Sequence, residues 1–128
     1  MARILVIEDD NDVRESLRQV LEHVGYEVEE ACDGEEGIER YREKQADLII
    51  TDIIMPKKEG IETITDLRVE FPDVKVIAIS GGGRLGPEPY LELAKGFGAN
   101  RIIMKPFTTA EILEAVQELL EQPSEGPR

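Results

Sequence analysis

The chain predicts an α/β fold: a parallel sheet with helices on both faces. Short apolar runs alternate with amphipathic stretches at helical spacing, a pattern that requires right-handed crossovers between parallel strands. Runs such as Ile4-Leu5-Val6-Ile7 and Leu48-Ile49-Ile50 are apolar without a break, as expected of strands covered on both sides. Acids, a hydroxyl and a lysine stand just past these runs: Glu8-Asp9-Asp10, Asp52, Ser80 and Lys105. In a sheet of this kind ligands sit beyond the carboxyl ends of the strands.

The elements follow in order. Arg3 to Ile7 reads as the first strand. Asn11 or Asp12 can cap a helix running from about Val13 to His23. Its apolar face is Val13, Leu17, Val20, Leu21 and Val24, while Arg14, Glu15, Arg18, Gln19 and Glu22 face water. Gly25 stops it, and Tyr26 to Ala31 alternates as an exposed or edge strand does. Asp33-Gly34 turns the chain into a helix over Glu35 to Lys44, with Ile38 and Tyr41 inward. The central strand is Leu48 to Thr51, with Asp52 at its end and Pro56 blocking further ladder pairing.

Ile61 to Glu70 is a third helix, with Ile61, Ile64 and Leu67 on one face. Val74 to Ile79 is the fourth strand, followed by Ser80 and the glycine-rich Gly81-Gly82-Gly83. A fourth helix is expected over Glu88 to Phe97 and a fifth strand over Arg101 to Met104. Thr108 or Thr109 caps the final helix, which runs to about Glu121. Thr108 and Glu111 have capping-box spacing, and Ile112, Leu113, Val116, Leu119 and Leu120 form the apolar face. Residues 1–122 read as one domain, and 123–128 as a polar tail or the start of a linker.

Composition narrows the function. A net charge of -13 over 128 residues opposes unspecific attachment to nucleic acid or to an anionic membrane. There is no long apolar run and no secretory leader, so a cytoplasmic protein is expected. The single cysteine, Cys32, excludes an intrachain disulfide and reads as a partly buried small residue. His23 reads as a helix-surface residue, so soft metal ligands are lacking.

Carboxylates gathered on one sheet edge repel one another. A hard divalent cation resolves this, magnesium first and manganese close behind. With such a cation a carboxylate can attack phosphorus, and a lysine and a hydroxyl can hold the transferring oxygens. Asp52 suits the nucleophile because it ends the central strand. Asp9 suits a direct ligand, Glu8 a ligand through water, and Lys105 a partner of Asp52. Ser80 would bond to the transferred group. The bland alternatives are helix N-terminal acids, a turn hydroxyl and a surface lysine. The glycine run lacks the spacing of a nucleotide-binding loop.

Taken together, Ile4-Leu5-Val6-Ile7-Glu8-Asp9-Asp10, Asp52-Ile53-Ile54-Met55-Pro56 with Gly60, Ser80 and Lys105-Pro106-Phe107 resemble the receiver domain of bacterial two-component response regulators. The likeness covers about residues 2 to 122 and is nearest the stand-alone type of chemotaxis and sporulation relays. It implies a doubly wound, flavodoxin-like sheet in the order 2-1-3-4-5 with five flanking helices. It also implies magnesium-dependent transfer of a phosphoryl group to Asp52 from a histidine kinase or a histidine phosphotransfer protein. Glu8, Asp9, Asp52 and the backbone carbonyl of Ile54 would hold the metal, and Ser80 and Lys105 would grip the phosphoryl group. Such a domain catalyses its own phosphorylation and dephosphorylation without independent small-molecule turnover. It acts as a monomer or weak dimer on a downstream protein target, or on a C-terminal effector if the chain continues. Met1-Ala2 reads as a true start, and the short tail leaves no room for an output domain.

Three departures from the family pattern bear on function. Glu8 replaces the commoner Asp, and Ser80 the commoner Thr. Ile102 stands where many members carry an aromatic that swings inward on phosphorylation, so signalling would run through Ser80 and the following loop. Ile54, two residues past Asp52, would overhang the phosphoryl group and cannot orient water. Slow self-dephosphorylation is therefore expected, and Ile54→Asn should shorten the phosphoryl half-life; an unchanged half-life would count against that role. Two other functions compete: a non-phosphorylated interaction module of the same fold, and a phosphohydrolase with an Asp nucleophile acting on small molecules.

Overall fold

The computed structural model describes residues 2–53, 60–80 and 98–121, the side chains of Ile61 and Ser80 excepted. The strands are β1 (Arg3–Ile7), β2 (Glu27–Ala31), β3 (Leu48–Asp52), β4 (Val76–Ser80) and β5 (Arg101–Met104). They form one five-stranded sheet in the order β2-β1-β3-β4-β5, parallel at every pairing. The described helices are α1 (Asn11–His23), α2 (Gly34–Glu43), α3 (Gly60–Glu70) and α4 (Thr109–Glu121). The helix expected over Glu88 to Phe97, the Gly81–Gly83 run and the tail 123–128 lie outside the described residues.

Alternation along the strands divides the core between two layers, because successive side chains point to opposite faces. Leu5, Ile7, Ile49 and Ala78 meet Ile38 and Tyr41 of α2 and Ile64 and Leu67 of α3. Ile4, Val6, Ile50, Ile77 and Ile79 meet Leu17 and Leu21 of α1 and Ile112, Val116 and Leu119 of α4. The sheet is therefore doubly wound, and all four central apolar residues of β1 are fully buried. At one point the helix layer comes unusually close. Gly37 of α2 lies over Ile7, where an added Cβ would stand 2.3 Å from Cδ1 and 2.7 Å from Cγ1.

The helix starts show why boundaries moved from their sequence positions. Asp10 caps α1, its carboxylate accepting from the backbone N–H groups of Asp12 and Val13. Neither Asn11 nor Asp12 is the cap, because Asp10 is the residue left in extended geometry with its side chain over the first turn. Asp33 caps α2 in the same way through Glu36 N–H. Thr108 and Glu111 form the expected reciprocal box at the start of α4, at 3.0 and 3.1 Å.

Other residues also differ from expectation. Val24 ends α1 as its C-cap and is 49% exposed rather than buried. Cys32 is exposed rather than partly buried, because it follows the last residue of the edge strand β2. No helix among the described residues is long and apolar enough to cross a membrane.

Candidate functional site

The parallel sheet sends every strand out at the same edge, and the candidate residues meet there. Asp52 is the last residue of β3, paired in register with Ile79 of β4, and only 6% exposed. It belongs to the central strand rather than to the turn beyond it. Glu8 follows β1 and is 1% exposed, while Asp9 beside it is exposed. One carboxylate oxygen from each of Glu8, Asp9 and Asp52 lies within 4.8 Å of the others. Lys105, just past β5, donates from Nζ to Asp52 Oδ2 at 2.8 Å and to Glu8 Oε1 at 3.2 Å. Its peptide bond to Pro106 is cis.

Electrostatics explains the arrangement. Burial pushes the Glu8 carboxyl up to about 7, and the neighbouring Asp52 charge adds to it. Burial pulls the Lys105 ammonium down, but its hydrogen bond and charge pairing with Asp52, helped by Glu8, outweigh this and leave it raised. One ammonium thus pairs with two buried acids, and a third, exposed acid stands beside them. A second positive centre would relieve the remaining repulsion, and the group presents oxygen ligands only, as a hard divalent cation such as Mg²⁺ or Mn²⁺ prefers.

Two expected participants are described only in part. The backbone of Ser80 ends β4, in register with Met104, and its side chain lies outside the described residues. Ile54 lies outside them altogether. Asp10 is drawn away from the carboxylate group by its capping role. Cys32 is on the same edge but does not join it. Its thiol is pushed up, first by a hydrogen bond with Glu36 and then by burial, which disfavours the reactive thiolate. A cleft of about 900 Å³ lined by Tyr41, Phe71, Asp73 and Lys75 opens at the opposite edge of the sheet and contains none of the site residues.

Arg14 was expected to face water and does not. Its side chain is 17% exposed and folds back from α1 toward the turn after β1. Nη1 donates to the backbone carbonyl of Glu8 at 2.7 Å, Nε donates to Glu30 Oε1 at 3.2 Å, and Nη2 donates to Asn11 Oδ1. Spacing alone assigns Arg14 to the polar stripe of α1. The available signal is its position four residues after Asp10, with an acid, Glu30, on the following strand. Thr51, also unassigned from sequence, is fully buried and donates to the Asp52 carbonyl at 3.1 Å.

The carboxylate group and the lysine stand at the carboxyl edge of a doubly wound sheet, where such sheets bind their ligands. The response regulator receiver domain family matches residues 4–117, and the chain belongs to that family. Response regulator MprA of Mycobacterium sp. (strain KMS) is 35% identical over 129 residues, covering 98% of this chain and 54% of MprA. The chain therefore spans about half the length of that relative. Receiver protein CpdR of Brucella abortus is 32% identical over 94% of this chain and 98% of its own length. Among solved structures, response regulator TrrA from Thermotoga maritima, in complex with Mg(2+)-BeF, superposes with a TM-score of 0.83. It is 32% identical over 93% of this chain and 99% of TrrA.

Proposed function

We propose that the chain is a phosphoacceptor signalling domain in which Asp52 takes a phosphoryl group from a phosphohistidine. The observation that carries this reading is the convergence of Glu8, Asp9, Asp52 and Lys105 at one sheet edge. The donor would be a histidine kinase or a histidine phosphotransfer protein. TrrA, similar over almost its whole length, is a response regulator captured with Mg(2+)-BeF, which supports magnesium here.

The residues divide the work. Lys105 holds Asp52 through Oδ2, and a carboxylate oxygen of Asp52 attacks phosphorus. The P–O bond forms as the P–N bond breaks, and the imidazole leaves with the electron pair and takes up a proton. Lys105 then transfers its hydrogen bond from the carboxylate to a phosphoryl oxygen, which keeps the ammonium paired throughout. Glu8, Asp9, Asp52 and the Ile54 carbonyl would hold magnesium, which when bound offsets charge on the transferring oxygens. Ser80 would take a second phosphoryl oxygen. The phosphorylated form would then present an altered surface to a downstream protein.

Intact mass after incubation with acetyl phosphate tests this reading. Wild type should gain one phosphoryl group only with Mg²⁺ present, and Asp52→Ala should gain none. If no adduct forms and beryllofluoride also fails to bind, the non-phosphorylated interaction module becomes the better reading.

A further inference from the structure

We propose that Arg14 is a positioning residue that sets the Glu8–Asp9 turn in its cation-binding geometry. This inference rests on the phosphoacceptor reading above and concerns how its site is held.

The argument begins with hydrogen-bond bookkeeping along β1. The β1–β2 register ends at Ile7–Ala31, and the β1–β3 register ends at Ile7–Thr51. One further bond reaches Glu8, whose N–H donates to the Ala31 carbonyl at 3.0 Å. The Glu8 carbonyl, one step beyond the paired strands, takes a side chain as its donor, Nη1 of Arg14. That carbonyl belongs to the peptide plane joining Glu8 to Asp9, so fixing it fixes the direction in which Asp9 leaves the strand. Asp9 needs this support. Among the described residues its exposed carboxylate has no hydrogen-bond donor, and there its place in the carboxylate group follows from its backbone.

The guanidinium is itself anchored. Glu30 of β2 and Asn11 of α1 hold Nε and Nη2, so a single planar fork ties the turn to the edge strand and to the first helical turn. Arg18 supplies an internal contrast. It shares Glu30 through Nη1 at 3.0 Å but is not among the donors to Glu8.

The sign of the effect separates positioning from charge. Removing a cation near a cation site should tighten Mg²⁺ binding if Arg14 acts only through its field. Removing a support of the ligand backbone should weaken it, and partners of metal ligands typically matter about 10–100-fold.

The experiment is calorimetric Mg²⁺ titration of the full chain as wild type, Arg14→Ala, Arg14→Lys and Arg18→Ala. Acetyl phosphate labelling is followed by intact mass in parallel. Arg14→Ala should bind Mg²⁺ about tenfold more weakly yet reach the wild-type extent of labelling at saturating Mg²⁺. Arg14→Lys keeps the charge and the stem but not the fork, so it should also weaken binding, and it provides the reading if the alanine variant does not fold. Arg18→Ala should stay within about twofold of wild type. Unchanged or tighter binding in the Arg14 variants, or equal weakening in Arg18→Ala, would overturn the inference. Failure of the phosphoacceptor reading looks different: wild type itself would not label.

Discussion

Lys105→Ala will lower the stability of the Mg²⁺-free domain by about 3 kcal/mol at pH 8, and by clearly less at pH 5. Lys105 is the donor held 2.8 Å from Asp52 and 3.2 Å from Glu8, two carboxylates that are almost wholly buried. Truncating it leaves two desolvated acids facing each other, the situation in which breaking a buried pair is most costly. The pH dependence follows from Glu8. Its folded-state value is raised from 4.5 to about 7, so the folded state binds the extra proton between those values. The stability associated with that proton is fully present below pH 4.5 and is lost as pH rises through 7. At pH 5 the protonated Glu8 no longer opposes Asp52, and the missing ammonium matters less. At pH 8 Glu8 is charged as well, and Lys105 is the cation that pairs with both carboxylates. Urea unfolding in a chelating buffer at both pH values measures the difference, and added Mg²⁺ should restore part of the loss. A cost independent of pH would mean that the lysine contributes through its aliphatic stem and not through its charge.

Gly37→Ala should destabilise the domain by about 1 kcal/mol net, the overpacking cost less the helix preference for alanine. Helix propensity alone favours the change by about 1 kcal/mol. The new Cβ, however, would stand well inside contact distance of Cδ1 and Cγ1 of Ile7, a fully buried β-branched residue with little room to move. Overpacking of this kind typically costs about 1–3 kcal/mol. Ile7→Val removes Cδ1 and by itself should cost about 1 kcal/mol. In the Gly37→Ala background the same truncation relieves the clash, so the double variant should be more stable than additivity predicts by about 1 kcal/mol. Additive losses would show that α2 shifts away from the sheet instead. The site registers this contact because Ile7 immediately precedes Glu8. Mg²⁺ affinity should therefore fall in Gly37→Ala and recover in the double variant.

The strand and helix alternation, the two-sided burial of β1 and β3, and the strand-end positions of Glu8, Asp9, Asp52 and Lys105 are legible in the sequence. Periodicity and strand-end position are local properties, and each of these readings needed only a short window of chain. Tertiary structure alone decided where the remaining donors went. Arg14 sits in the polar stripe of α1 by spacing, yet a long side chain near a helix start can fold back, and Glu30 and the open Glu8 carbonyl drew it inward. Asp10 could equally have joined the acids or capped the helix, and the free N–H groups of the first turn took it. Val24 follows the apolar period of α1 but falls at the C-cap, where the chain leaves the sheet. Gly37 looks like a weak helix residue until β1 is placed beneath it. For Arg14 and Gly37 the deciding partner lies on a different element, beyond any short window of sequence, whereas Asp10 and Val24 are decided by the ends of their own helix.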